Sequence, residues 1–130
     1  MTGNKFLLDT NIIIAWLKGE KGIADKIDNA TEVNIPIIVV GELYYGASSS
    51  IHVQRNTKEI QKITSRYTVL TIDEATTVAY GTIKSSLKKL DKPIPENDIW
   101  IAAIAQRYEL VLVSRDKHFK AVDGLAVKSW

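Results

Sequence analysis

Cysteine is absent from this sequence of 130 residues, and histidine occurs only twice, as His52 and His118. Without cysteine, the chain can form neither a disulfide framework nor a thiolate zinc site. The two histidines are too few and too scattered along the chain to suggest a histidine-based metal site. Any metal ion that binds here is therefore expected to have oxygen ligands.

Long apolar segments are also missing. No segment approaches the ~20 apolar residues that a membrane-spanning helix requires. The first apolar run covers residues 6–8 and ends at Asp9, which is unlike a signal peptide. We therefore expect a soluble cytoplasmic protein without a membrane partner. The length, with 45% hydrophobic and 25% charged residues, predicts a single domain spanning residues 1–130.

Short apolar runs alternate with segments of helical periodicity along the chain. The runs predict strands at residues 6–8, 32–35, 68–72, 111–113 and 126–128. Of the helices between them, the one at 36–46 is apolar almost all round, which predicts that it is buried. Thr71 and Glu74 have the spacing of a capping box for the helix after the third strand. The alternation predicts an α/β fold, with helices on both faces of a parallel sheet.

Four carboxylates occupy notable positions in this pattern. Asp9 and Asp116 each follow a short buried strand, so both should lie at the carboxyl edge of the sheet, where ligands bind in open α/β folds. Asp98 lies at a helix N-terminus, and Glu42 is the only charge in the apolar helix. Each has a simpler explanation: a helix cap for Asp9 and Asp116, a helix-dipole partner for Asp98, and a buried ion pair for Glu42.

Four acids gathered in one cleft would repel each other unless a cation neutralised them. A site built from oxygen ligands selects hard ions, so Mg²⁺ or Mn²⁺ is the natural choice. Such ions lower the pKa of a bound water and offset charge on a phosphoryl group. Carboxylates with such an ion therefore indicate phosphodiester chemistry.

Four sequence blocks contain the four acids: Leu-Asp-Thr-Asn at residues 8–11, Gly-Glu-Leu-Tyr-Tyr-Gly at 41–46, Asn-Asp-Ile-Trp-Ile-Ala-Ala at 97–103 and Val-Ser-Arg-Asp-Lys-His-Phe at 113–119. These blocks resemble the signature blocks of PIN-domain nucleases and, more narrowly, those of VapC toxins from type II toxin–antitoxin pairs. They occur in the order typical of the family and span nearly the whole chain. Any one block is a weak signal, but the four together are strong.

The resemblance implies a three-layer α/β/α fold with a short central parallel sheet. It also implies an endoribonuclease that requires Mg²⁺, with Mn²⁺ as a substitute, and that acts as a homodimeric toxin inhibited by a cognate VapB-like antitoxin. Carried over position by position, the catalytic acidic quartet is Asp9, Glu42, Asp98 and Asp116. Asp9 and Asp98 are its metal ligands, and Asn11 and Ser114 are supporting residues.

Two other functions remain open at this point. A receiver-like signalling domain is also α/β with a magnesium site, but it requires a pair of acids near the end of the first strand, where Asp9 has no acidic neighbour. A PIN-like scaffold could bind RNA or protein without cutting it. The sequence does not reveal which RNA would be cut.

Two surfaces are candidates for binding a partner. Basic residues recur at helical spacing on one predicted helix, at Arg55, Lys58, Lys62 and Arg66, and are expected to form a solvated face, with a nucleic-acid contact as the second interpretation. Apolar and aromatic residues near the acids could form a groove for the antitoxin, at Trp16, Leu17, Tyr44 and Tyr45. At least half of this second group is expected to belong to the core.

Overall fold

The computed structural model describes residues 4–130, so the first three residues of the predicted domain 1–130 lie outside the described part. The strands are β1 (Lys5–Leu8), β2 (Glu32–Pro36), β3 (Thr68–Leu70), β4 (Val111–Val113) and β5 (Val127–Lys128). The helices are α1 (Thr10–Leu17), α2 (Ile23–Asp28), α3 (Ile37–Ser48), α4 (Val53–Arg66), α5 (Glu74–Lys89) and α6 (Glu96–Arg107), and a 3₁₀ helix covers Lys117–Ala121.

The five strands form one parallel sheet in the order β3-β2-β1-β4-β5. This arrangement, with helices flanking the sheet, confirms the predicted α/β fold. The strand order reverses at β1, because β2 and β3 lie on one side of it and β4 and β5 on the other. The carboxyl ends of β1 and β4 therefore flank the point where open α/β sheets bind their ligands.

The core lies around β1, β4 and α6. Phe6, Leu7 and Leu8 of β1 are buried, and residues 101–105 of α6 are buried without exception. Three of those five α6 residues are alanines, which lets the helix approach its neighbours closely. No helix within residues 4–130 is long and apolar enough to cross a membrane.

The apolar composition of helix α3 predicted that it would be buried on all sides. In the structure it is buried on one face only. One face carries the buried side chains Val39, Val40, Leu43 and Ala47. The opposite face leaves Ile37 exposed and Tyr45 76% exposed. The prediction was wrong because apolar composition measures how many side chains can be buried, whereas the neighbouring elements decide how many are covered.

Thr71 and Glu74 were predicted to form the capping box of α5, but other residues form it. Asp73 is the N-cap residue, and its Oδ1 accepts a hydrogen bond from the Thr76 backbone N–H at 2.8 Å. The Thr76 hydroxyl in turn accepts from the Asp73 backbone N–H at 3.4 Å. The predicted pair, Thr71 with Glu74, and the observed pair, Asp73 with Thr76, both have residue types suited to a helix N-terminus. Their spacing is the same, so spacing alone could not choose between them. The Asp73 carboxylate also pairs with Arg107 of α6, with Oδ2 2.9 Å from Nη2.

Candidate active site

Asp9 lies directly after β1 and is the N-cap residue of α1. Its Oδ1 accepts a hydrogen bond from the Thr10 backbone N–H at 2.8 Å. Its Oδ2 accepts from the Ser114 hydroxyl at 2.6 Å and from the Asn11 side-chain amide at 3.3 Å. The residue is only 5% exposed. Asp9 is therefore both a helix cap and a buried, firmly oriented carboxylate.

Backbone pairing brings the ends of β1 and β4 together. The Asp9 backbone N–H donates to the Val113 carbonyl at 3.0 Å, which places Ser114 beside Asp9. Asn11 links the two loops, because its amide nitrogen lies 3.3 Å from the Ser114 hydroxyl and its Oδ1 accepts from the Arg115 backbone N–H at 3.2 Å. Both predicted supporting residues, Asn11 and Ser114, thus lie at this junction.

Asp116 and Asp98 meet through a histidine. The Asp116 carboxylate caps the 3₁₀ helix by accepting from the His118 backbone N–H at 2.9 Å. The His118 ring then lies between the two acids, with Nδ1 3.0 Å from Asp116 Oδ1 and 3.1 Å from Asp98 Oδ2. Single ligand atoms of the three residues all lie within 4.8 Å of one another.

His118 lies between two of the acids, a position that the sequence did not predict. The signal that could have found it is its position two residues after Asp116, in the segment that leaves the carboxyl end of β4. A side chain placed there faces the same edge of the sheet as the acids. Its imidazole adds a nitrogen atom to a donor set that was predicted to consist of oxygen alone.

Glu42 reaches the site from α3. Its Oε1 accepts a hydrogen bond from the hydroxyl of Thr10, the residue that follows Asp9, at 3.1 Å. The side chain is half-buried, and within residues 4–130 the structure gives it no ion pair with Lys or Arg. It borders a cleft of about 550 Å³, together with Thr10, Asn97 and the exposed face of α3 at Ile37, Ile38, Gly41 and Tyr45.

The four acids share one electrostatic environment. Burial raises the pKa of Asp9, and the negative charge of Asp116 adds to that rise against the effect of the Ser114 hydrogen bond. Burial likewise raises the pKa of Glu42, with further contributions from Asp9 and Asp98. The pKa of Asp98 is also raised. Burial is the largest cause, and the charges of Asp116 and Asp9 raise the pKa further. Concentrated negative charge of this kind is a setting in which a cation binds favourably.

The donor set fits a divalent cation. Carboxylate oxygens are the preferred ligands of hard ions such as Mg²⁺. The hydrogen bond to Asp98 and the nearby charges of Asp116 and Asp98 raise the pKa of His118, which favours the protonated ring between the two acids when no metal is bound. The site can therefore hold positive charge, and its residues match the chemistry of a metal centre.

The sequence matches the PIN domain over residues 6–125. It is 39% identical over 129 residues to "Ribonuclease VapC2" of Haemophilus influenzae, covering 97% of this chain and 98% of that protein. The chain belongs to the PIN-domain family of VapC ribonucleases. A second VapC, the "tRNA(fMet)-specific endonuclease VapC" of Shigella flexneri, is 32% identical over 129 residues, with 97% and 98% coverage.

Solved structures of VapBC complexes have the same fold as this VapC chain. VapBC-1 from nontypeable Haemophilus influenzae has a TM-score of 0.88 at 32% identity, covering 96% of this chain and 97% of that one. DNA-bound VapBC from Salmonella typhimurium has a TM-score of 0.90 at 29% identity, with 97% and 98% coverage. The three-layer PIN-like fold is thereby confirmed. The receiver-like alternative was wrong, because receiver domains have strand order 2-1-3-4-5 and this sheet does not.

An apolar groove of about 560 Å³ lies between α1, α3 and α4, with Glu42 among its lining residues. Its apolar lining is aliphatic and includes Ile14, Leu17, Leu43, Ala47 and Ile60. Of the four predicted groove residues, only Leu17 lines it. Trp16 packs edge-on against Tyr67, with ring centroids 5.3 Å apart, Tyr44 packs against the core, and Tyr45 borders the acid cleft.

The basic side chains of α4 are exposed, and one of them reaches this groove. All four of the predicted residues, Arg55, Lys58, Lys62 and Arg66, are exposed. Arg55 lines the groove itself, and Lys62 pairs with Glu59 at 3.2 Å. The solvated face that the sequence predicted is therefore present on α4.

Proposed function

We propose that this VapC chain is the toxin of a type II toxin–antitoxin pair and that it cleaves RNA with the help of a divalent metal ion. The proposed ion is Mg²⁺, with Mn²⁺ as a substitute, held by the acidic quartet Asp9, Glu42, Asp98 and Asp116. One observation carries the proposal: carboxylates from four separate segments converge at the strand-order reversal, and burial and mutual repulsion raise the pKa of three of them.

Asp9 and Asp98 are the proposed metal ligands, and Glu42 and Asp116 complete the charge of the site. When bound, the ion lowers the pKa of a water and offsets charge on the phosphoryl group. Ser114 and Asn11 both donate to Asp9 Oδ2, while the Thr10 backbone N–H holds Oδ1. These contacts fix the carboxylate plane, so that the ligand is oriented before the ion arrives.

RNA is the proposed substrate, and a tRNA is the first candidate to test. Support for RNA comes from the names of the relatives, one of which is described as specific for tRNA(fMet). The cleft of about 550 Å³ beside Glu42 is the proposed place for the RNA chain. A sequence pI of about 8.8 adds a modest long-range attraction for phosphate.

A cognate VapB-like antitoxin and a second copy of the chain are the proposed protein partners. The VapBC complexes among the similar structures support the antitoxin. The groove between α1, α3 and α4 has the apolar lining that suits an amphipathic helix, and Glu42 and Arg55 add charges to that lining. Sedimentation analysis of the chain with and without the antitoxin tests the homodimer.

The deciding experiment incubates the purified chain with total cellular RNA and maps the ends of the cleavage products. We expect cleavage with Mg²⁺ or Mn²⁺ and none with EDTA. Ca²⁺ should bind but support little turnover, because it is larger and looser in geometry. Cleavage that persists in chelator would contradict the metal-dependent mechanism.

The same assay tests the quartet. Asp9→Asn and Asp98→Asn should each lower the cleavage rate by about 100-fold or more, since several kcal/mol of charge stabilisation would be lost. Asp123→Asn is the matched control, because Asp123 is exposed and outside the site, and it should cleave like the parent. RNA binding without mapped cleavage ends would instead favour the non-cleaving scaffold.

A further inference from the structure

The His118 ring has a position that the acidic quartet does not account for. Its Nδ1 lies 3.1 Å from Asp98 Oδ2 and 3.0 Å from Asp116 Oδ1. We propose that His118 Nδ1 is itself a ligand of the metal ion, beside Asp98 and Asp116, and that this nitrogen makes the site favour Mn²⁺ over Mg²⁺. The inference rests on the proposed metal-dependent function, and it adds to that function two direct ligands, His118 and Asp116, and a metal preference.

The spacing of the three atoms suits a common ion. In octahedral coordination with bonds of about 2.1 Å, neighbouring ligand atoms are about 3.0 Å apart and opposite ones about 4.2 Å apart. The two distances from Nδ1 match the neighbouring separation, and all three ligand atoms lie within 4.8 Å. An ion at their centre would take the place of the Nδ1 proton, which would pass to solvent.

The backbone presents the ring to the acids. The His118 backbone N–H donates a hydrogen bond to Asp116 Oδ1 at 2.9 Å. This bond fixes the first turn of the 3₁₀ helix. The next residue, Phe119, is fully buried and anchors that helix to the core. The ring of His118 is half exposed, so an ion and its remaining water ligands can reach Nδ1 from solvent.

A nitrogen ligand changes which ion the site prefers. Carboxylate and water ligands suit Mg²⁺, Ca²⁺ and Mn²⁺, whereas imidazole suits the transition metals. Mn²⁺ accepts both kinds of ligand in octahedral sites. Two carboxylates with one imidazole should therefore bind Mn²⁺ more tightly than Mg²⁺, while carboxylates alone would discriminate less.

The test is a pulsed electron paramagnetic resonance measurement on Mn²⁺ bound to the full chain, prepared without a histidine tag. Directly bound imidazole nitrogen modulates the Mn²⁺ spin echo, and selective ¹⁵N-histidine labelling changes that modulation in a recognisable way. The chain has only two histidines, so assignment needs two variants. His118→Asn removes the imidazole, and His52→Asn is the matched control at the exposed N-terminus of α4.

We expect histidine nitrogen modulation in the parent and in His52→Asn, and its loss in His118→Asn. Calorimetry should show at least about tenfold weaker Mn²⁺ binding in His118→Asn, by analogy with the 10–100-fold cost of losing even an indirect metal contact, and a smaller loss for Mg²⁺. Mn²⁺ that binds the parent with no histidine modulation would overturn this inference and leave the proposed function intact.

A third variant separates the two proposals. Asp98→Asn should weaken binding of Mn²⁺ and of Mg²⁺ alike. If Asp98→Asn and Asp9→Asn both bind metal like the parent, the metal site is elsewhere and both proposals fail. Because the modulation is read from the unmutated chain, misfolding of any one variant leaves the inference testable.

Discussion

Asp9 caps α1 and is also a proposed metal ligand, two roles that the sequence presented as alternatives. Its Oδ1 caps α1, and its Oδ2 faces the junction of the β1 and β4 loops. The cap needs only a hydrogen-bond acceptor, whereas the proposed metal site needs the negative charge. A substitution that keeps the acceptor and removes the charge therefore separates structure from chemistry at one position.

Asp9→Asn is expected to raise the melting temperature of the metal-free chain by a few degrees at neutral pH. Burial raises the pKa of Asp9 in the folded state, so folding favours the protonated form. The stability contributed by this group is present below its unfolded pKa and is lost as the pH rises through its folded pKa. The cost of burying the Asp9 charge therefore grows with pH, and Asn removes that cost.

The measurement is thermal unfolding of both proteins from acidic to neutral pH in the presence of chelator. The advantage of Asp9→Asn should be largest at neutral pH and should shrink as the pH falls through the carboxylate range. Added Mn²⁺ should stabilise the parent and leave the variant nearly unaffected. A variant that is less stable than the parent at neutral pH would show that the hydrogen bonds of the carboxylate outweigh its burial.

At the scale of elements, Asp73 joins α5 to α6 while it caps α5. Hydrogen bonds from Arg107 hold the pKa of Asp73 well below its usual range, and those from Thr76 lower it further. A lowered folded-state pKa contributes stability above the unfolded pKa, and this stability is lost as the pH falls through the folded value. Asp73→Ala should lower the melting temperature by a few degrees at neutral pH, and by less in acid.

Differential scanning calorimetry at two pH values checks this expectation. The control is Asp123→Ala, an exposed acid between α6 and β5 that should change the melting temperature little. Asp73→Asn keeps a capping side chain but weakens the pairing with Arg107, so it should lie between the parent and Asp73→Ala. An equal effect of Asp73→Ala at both pH values would show that the charge contributes nothing.

The groove formed by α1, α3 and α4 gives a second prediction at this scale. Leu17 lines the groove and is 41% exposed, so it can contact a partner without being required for the core. Leu17→Ala should weaken affinity for the cognate antitoxin by about tenfold, or about 1.4 kcal/mol, through lost apolar contact. Its RNA cleavage without antitoxin should equal that of the parent.

Isothermal calorimetry on folded variants measures the antitoxin affinity. Val78→Ala is the matched control, since Val78 is an apolar residue of α5 that is 68% exposed and outside the groove. It should bind like the parent. Equal affinity for Leu17→Ala and the parent would place the antitoxin on another surface.

At the scale of the whole molecule, we predict that residues 1–130 unfold as one cooperative unit. The three tryptophans report on separate regions: Trp16 packs on Tyr67, Trp100 stacks on Tyr80, and Trp130 packs on Phe6. Because one sheet connects these regions, tryptophan fluorescence and circular dichroism should give the same midpoint in urea. Two separated transitions would mean that the chain contains more than one folding unit.

The strands, their parallel arrangement and the meeting of Asp9 with Asp116 at one edge of the sheet could be predicted from local sequence patterns. A short apolar run that ends in a polar residue marks the carboxyl end of a buried strand, as at Asp9. Parallel strands place such ends at one edge, so Asp9 and Asp116 could be expected to meet there. Four sequence blocks then indicated the family. These features depend on residues that are close together in the chain.

The position of His118 between Asp98 and Asp116, the exposed face of α3 and the pairing of Asp73 with Arg107 were decided only by the tertiary structure. Each depends on which element packs beside which, and segments far apart in the sequence contribute to every one of them. The strand order β3-β2-β1-β4-β5 brings those segments together. Local periodicity specifies an element and its apolar residues, but burial and side-chain contacts are properties of the assembled layers.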